Sequence, residues 1–287
     1  MDRKRHGIQA AAALIQNANI KGFLTGRIYQ GPVKNICVPG LNCYSCPGAV
    51  GACPIGSLQS FLGARTFRFP YYVLGLMIFF GAMLGRLICG FLCPFGLLQD
   101  LLDKITITVK HPKFKWDKPL RYLKYAVLLV MVVVLPLTVK LTPFFCKYLC
   151  PAGTLSGVLL ALADSSVGAL LGSRFAFKAA ILALVIISAV IIFRPFCKYL
   201  CPLGAFYGLF NRVSVVRIGL DRDLCTGCGA CSAACGMGVD PSRDPDSCEC
   251  IRCGRCTAVC PEGALEWKAA GRTVKMSRSG SDRRNEI

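Results

Sequence analysis

The stretch from Tyr71 to Gly96, YYVLGLMIFFGAMLGRLICGFLCPFG, joins an apolar run to two cysteines in the pattern C-x3-C-P-x-G. Residues 71–88 carry no charge except Arg86 near the end, and form a helix of about one bilayer thickness. On a helical turn Cys89 and Cys93 point the same way, and Pro94 then redirects the backbone. One such pair supplies half the thiolates of a cubane [4Fe–4S] cluster, so two pairs from different helix ends complete one. The pattern returns in FCKYLCPAG (Cys146, Cys150) and FCKYLCPLG (Cys197, Cys201). A degenerate copy, NCYSCPGAVGACPIG, holds Cys43, Cys46 and Cys53, with Cys37 just upstream.

Two further apolar segments, 120–139 and 175–193, have span length, the first with Pro136 as a kink. Residues 155–171 are apolar but broken by Asp164, Ser165 and Ser166, which suits half-helices or a re-entrant piece. Asp164 reads as a turn residue before it reads as a proton-handling carboxylate. The basic start MDRKRH followed by residues 7–24 reads as an uncleaved, weak membrane-entering helix. Four crossings result, with both termini in the cytoplasm. The basic loop 99–124 (Lys104, Lys110, Lys113, Lys115, Lys118, Arg121, Lys124) marks the cytoplasmic side. Five basic residues between Lys21 and Arg68 are left on the other side, against that rule.

After about Arg212 the apolar runs stop and nine cysteines fall between Cys225 and Cys260. Cys225, Cys228, Cys231 and Cys235 make C-x2-C-x2-C-x3-C, and Cys250, Cys253, Cys256 and Cys260 repeat it before Pro261. In this bacterial ferredoxin run the fourth cysteine of each set serves the other cluster. Cys225, Cys228, Cys231 and Cys260 are therefore assigned to one [4Fe–4S] cluster, and Cys250, Cys253, Cys256 and Cys235 to the second. Zinc is the alternative for any single C-x2-C pair; a doubled eight-cysteine pattern argues against it. Gly236 stands where proline usually follows Cys235, and Cys248 is a spare thiol able to compete with Cys250. The expected fold is mainly α, a polytopic helical membrane domain of about four spans followed by a small α+β 2[4Fe–4S] ferredoxin domain. Its parts are a basic N-terminus with the weak first helix (1–36), the membrane domain (37–211), the ferredoxin domain (212–267) and a disordered basic tail (268–287).

Within the membrane domain Cys89, Cys93, Cys197 and Cys201 should share the cytoplasmic side and complete one cluster. Cys146, Cys150 and the Cys43, Cys46, Cys53 loop should meet on the outer side. There they either hold a second cluster, with one thiol left over, or form disulfides. Arg86, Arg194, Lys147 and Lys198 offer positive charge to anionic thiolate clusters, or in the case of Lys–Tyr pairs simply snorkel at the interface. The 287 residues carry 34 Lys and Arg against 15 Asp and Glu, a formal +19, yet only 17% are charged and 54% hydrophobic. Nucleic acid is not needed to explain that charge. His6 and His111 both lie outside the spans, which excludes paired-His haem there, and no G-x-G-x-x-G or Walker A motif supports NAD or ATP binding.

The succession CVPGLNCYSCPGAVGACPIGSLQ, GRLICGFLCPFGLLQDLL and RPFCKYLCPLGAFYGLFNR, then a two-cluster ferredoxin, resembles the NapH-type membrane ferredoxins, which are related to the membrane domain of the regulator NosR. The resemblance covers roughly residues 8–265. It implies a multi-pass cytoplasmic-membrane protein with its ferredoxin domain in the cytoplasm and inward-facing motifs at Cys89, Cys93, Cys197 and Cys201. It further implies electron exchange between the quinone pool or a cytosolic donor and a redox partner protein, either a separate flavoprotein or a terminal reductase. The alternative from another class is a membrane iron–sulfur redox sensor or metallocentre assembly protein; a transporter fits poorly.

Overall fold

The computed structural model describes residues 2–65, 69–105, 117–163 and 172–274. Its helices are α1 Asp2–Gln16, α2 Ile20–Thr25, α3 Pro54–Leu62, α4 Tyr71–Leu84, α5 Leu87–Phe91, α6 Pro94–Asp103, α7 Asp117–Thr138, α8 Pro151–Ala163, α9 Ser173–Ile191, α10 Pro195–Tyr199 and α11 Pro202–Leu209. A π-helical turn, Phe145–Leu149, precedes α8, and α7 is π-wound over Leu128–Val134. The chain closes with β1 Val216–Leu220, α12 Ala230–Ala233, α13 Arg255–Val259, β2 Leu265–Ala269 and β3 Arg272–Val274.

The protein is mostly helical with one small sheet, as expected, but the expected spans change. Among the described residues two helices are long and apolar enough to cross a membrane, α7 with 22 residues and α9 with 19. The segment expected to run unbroken from 71 to 88 stops at Leu84, because Gly85 turns to φ 55° and the Arg86 N–H donates to Asn211 Oδ1 at 2.9 Å. The apolar run after Cys150 is helical through Ala163; Asp164 and its neighbours lie outside the described residues, as do Lys110, Lys113 and Lys115. The stretch expected to enter the membrane at 7–24 is two short helices separated at 17–19. The first of them buries Arg5, Gln9 and Gln16 and leaves Leu14 and Ile15 exposed. It runs from the ferredoxin module, where Asp2 meets Arg255 at 3.3 Å, to the cysteine loop, where Val50 N–H donates to the Gln16 carbonyl.

The module sheet has strand order β1-β2-β3, antiparallel throughout, with Val216 opposite Ala269 and Trp267 opposite Val274. Its strands extend past the expected boundary at 267: residues 268–274, assigned to a disordered tail, form the end of β2 and all of β3. Ile218, Leu265 and Trp267 are buried with Cys231 and Cys256, and Phe91 packs edge-on against Trp267 at 6.3 Å. The sheet therefore rests on α5, the helix that carries Cys89. A second, larger core runs through the helices and includes Cys37, Cys53, Cys89, Cys93, Cys150 and Cys201.

Candidate iron–sulfur sites

Cys53, Cys93, Cys150 and Cys201 share one local geometry. Each is extended (ψ 128°, 117°, 109° and 112°) because a proline follows, and that proline is the first residue of α3, α6, α8 or α11. The sulfur is thus held at a helix N-terminus, where unpaired N–H groups stabilise negative charge. Gly153 N–H donates to Cys150 Sγ at 3.4 Å and Gly204 N–H to Cys201 Sγ at 3.3 Å. The glycine of C-P-x-G faces the opposing half across an ordinary contact distance. A Cβ on Gly56 would sit 3.7 Å from Cys146 Sγ, and one on Gly153 3.7 Å from Cys43 Sγ.

Four buried sulfurs meet at the first site. Cys89, Cys93, Cys197 and Cys201 are all buried, and the first three lie in the electrostatic surroundings of Cys201. Two arginines brace them reciprocally. Arg86 donates to the Cys197 carbonyl at 3.0 Å, and Arg194 donates to the Cys89 carbonyl at 2.5 Å. Both guanidiniums are completely buried, which requires anionic partners. Arg194 takes Asp100 in a two-pronged pair at 2.6 and 2.5 Å, and Arg5 adds a third bond to Asp100 at 2.6 Å. Arg86 pairs with Glu249 at 3.1 Å, while its buried Nε has no partner among the described residues.

At the second site Cys146 feels Cys150, Cys53 and Cys43. Of the five thiols expected on this side, these four are brought together. Cys46 and Cys43 both lie near Lys34, whose ammonium donates to the Ala49 carbonyl at 2.6 Å and lies over the Tyr44 ring. Cys37 faces Ser57, at 3.6 Å. All of these cysteines are free thiols. Sequence reasoning missed Gln59 and Gln99. Gln99 Nε2 donates to Cys197 Sγ at 3.1 Å, and Gln59 Nε2 donates to Cys146 Sγ at 3.4 Å. Their signal was a shared spacing, C-P-x-G-x2-Q, in CPIGSLQ and CPFGLLQ.

In the module Cys225, Cys228, Cys231 and Cys260 line one cavity. Cys235, Cys250, Cys253 and Cys256 line another, which Phe193 of the helical part helps to close. The crossed grouping read from the spacing is the grouping found around the two cavities. Cys248 lines neither; its carbonyl accepts from Arg86 at 2.8 Å. Gly236, in place of the usual proline, lets the Phe193 ring approach, since a Cβ there would lie 2.7 Å from it. Burial pushes the Cys250 thiol up to about 12.

The donor sets fit clusters better than single ions. Among the described residues no three Cys, His, Asp or Glu side chains close around a metal ion. A lone tetrahedral zinc needs its sulfurs within about 2.3 Å of one point, whereas a cubane takes one thiolate on each of four separate irons. Each module cavity is lined by four cysteines, the number of thiolates that a cubane takes.

Helices that start at C-P turns and a module with two cysteine-lined cavities define an iron–sulfur electron-transfer protein. One family model, described as a 4Fe-4S binding domain, matches residues 69–119, 123–167 and 175–221, and a second of the same description matches 249–266. The chain is 29% identical over 197 residues to an uncharacterized protein of Methanocaldococcus jannaschii, covering 67% of this chain and 68% of that one. It is 30% identical over 186 residues to the methylamine utilization ferredoxin-type protein MauN of Paracoccus denitrificans, covering 62% and 58%. The ferredoxin-type protein NapH of Escherichia coli is 28% identical over 154 residues, covering 52% and 47%. The chain is thus similar to ferredoxin-type 4Fe-4S proteins that include NapH and MauN. It spans about half the length of these two named relatives. No solved structure matches it.

Proposed function

We propose that this protein is a membrane-embedded conduit for single electrons. The observation that carries the reading is the succession of four cysteine quartets through one fold. Cys225, Cys228, Cys231 and Cys260 come first, and Cys235, Cys250, Cys253 and Cys256 lie next, against Phe193. Cys89, Cys93, Cys197 and Cys201 follow, and Cys43, Cys53, Cys146 and Cys150 are last. Each quartet would hold a [4Fe–4S] cluster, which when bound supplies a one-electron couple. The chain's own residues order and tune these sites. Phe193 is followed directly by Arg194, whose guanidinium reaches Cys89, so the module cavity and the third quartet are a few side chains apart. Tyr207, fully buried with its hydroxyl donating to the Pro39 carbonyl at 3.1 Å, stands within electrostatic reach of Cys89, Cys93 and Cys53.

Membrane placement is supported by the outer surfaces of the helices. The apolar windows of α7 and α9 are only 22% and 17% buried within the protein, unlike core helices of a water-soluble fold, and expose Leu129, Val130, Leu184 and Ile187. The reading makes this a multi-pass protein of the cytoplasmic membrane, with residues 37–211 as its membrane domain, the spans joined by loops such as 99–124 outside the lipid, and the module, 212–274, in the cytoplasm. Basic residues near 99–124 support that orientation. Partners would be a flavoprotein or terminal reductase at the module and quinone as a lipid-borne donor. The relative MauN is named for methylamine utilization, a sign that related chains serve different partners.

The test uses the full chain in sealed liposomes, module outward, with an impermeant reductant outside and ferricyanide trapped inside. Ferricyanide should bleach with wild type and stop bleaching with Cys201→Ser. Equal rates for the two proteins would remove the conduit reading.

A further inference from the structure

Gln59 and Gln99 are half-buried in no sense: both are 1% exposed, in the middle of α3 and α6, where an amide without a task would be costly. Their contacts are the same, atom for atom. Gln99 Oε1 accepts from the Phe196 N–H at 3.2 Å, while its Nε2 donates to the Phe95 carbonyl at 3.4 Å and to Cys197 Sγ at 3.1 Å. Gln59 Oε1 accepts from the Phe145 N–H at 3.0 Å, while its Nε2 donates to the Ile55 carbonyl at 3.3 Å and to Cys146 Sγ at 3.4 Å. A backbone N–H can only donate and a carbonyl can only accept, so these neighbours fix which end of each amide faces the sulfur. Each glutamine lies six residues after a proline-capped cysteine, Cys53 or Cys93, and reaches the first cysteine of the opposite motif. It thus ties together the two halves of its quartet.

We propose that Gln59 and Gln99 are positioning residues that set the reduction potentials of the second and first helical sites, each through one N–H···S bond. The proposal rests on the cluster reading above and goes beyond it by naming the tuning group. A thiolate ligand carries more negative charge after reduction, so an N–H aimed at its sulfur favours the reduced form and raises the potential. The two sites differ in what accompanies the amide. The first has two buried guanidiniums on its carbonyls, and the second has Lys178, which donates to the Cys146 carbonyl at 3.3 Å. The amide is therefore the side-chain donor common to both, beside the glycine N–H that each site places on Cys201 or Cys150.

The experiment is an EPR-monitored redox titration of the full purified protein. Cys197→Ser and Cys146→Ser first identify the signal of each helical site. If either substitution leaves every signal in place, the cluster reading fails for that site, and the proposal falls with it. With both signals identified, Gln99→Met should lower the potential of the Cys197 signal alone, and Gln59→Met that of the Cys146 signal alone. The expected size is a tenfold fall in the reduced-to-oxidised ratio at fixed ambient potential, about 59 mV for a one-electron couple. Gln99→Glu retains the acceptor for Phe196 and donates to sulfur only when protonated, so its potential should depend on pH while the wild-type value does not. It serves as the second variant if Met does not fold. Unchanged potentials in signals already identified, or an equal shift of both signals from one substitution, would overturn the proposal and leave the cluster reading standing.

Discussion

Asp100 holds two guanidiniums out of water at once, Arg194 through both carboxylate oxygens and Arg5 through one. Removing its charge leaves two buried cations undercompensated, which costs about 3–5 kcal/mol. Asp100→Asn should therefore lower the melting temperature of the detergent-solubilised protein, followed by far-UV circular dichroism. Burial pushes the Asp100 carboxyl up, but Arg194 and Arg5 outweigh it and hold the group below the usual carboxylate range. A depressed folded-state value means that the stability it supplies is complete above about pH 4 and drains away as pH falls further. The difference between wild type and Asp100→Asn should be large at pH 7 and shrink below about pH 4. A difference that stays constant with pH would show that the carboxylate charge is not what holds this knot.

Each C-P turn is legible locally, because the proline alone fixes the extended cysteine before it and the helix start after it. The break at Gly85 was not. The local sequence there reads as one apolar helix through residue 88, and the chain is turned instead by Asn211, 125 positions away. The same distance effect hid Gln59, Gln99 and Asp100. A polar residue in an amphipathic helix reads as solvent-facing until a partner from a remote segment is known, and Cys146, Cys197 and Arg194 are those partners. The cysteines themselves were legible because metal ligation demands fixed spacing. Only the loop quartet stayed open, since Cys43, Cys46 and Cys53 break the C-x3-C pattern. Gly85→Ala tests the element. At φ 55° a side chain is strained, and its Cβ would lie 2.6 Å from Asn211 Oδ1. A cost of about 1–3 kcal/mol should loosen α4 from the module and speed proteolysis of residues 209–216. Unaltered cleavage would mean that this turn does not anchor the module.

At the scale of the molecule, several of the 34 Lys and Arg are drawn inward onto a few buried or half-buried acids, Asp100, Asp117 and Glu249. Basic residues of the helical part clasp the module: Lys124 and Arg86 both hold Glu249, and Arg121, itself paired with Asp117, donates to the Met237 carbonyl at 3.0 Å. The helical part and the module are thereby fixed with Cys197, Cys248 and the Phe193 side of the second cavity in one neighbourhood. Four cluster-holding quartets in one fold are the central claim of the proposed function. The most direct measurement is iron content with Mössbauer and EPR spectra of the purified full chain beside Cys146→Ser and Cys197→Ser. Four quartets predict about sixteen irons per chain, four for each cubane, with each substitution removing one distinct cluster and leaving the module's two intact. About eight irons, unchanged in both variants, would confine the clusters to the module and contradict the account.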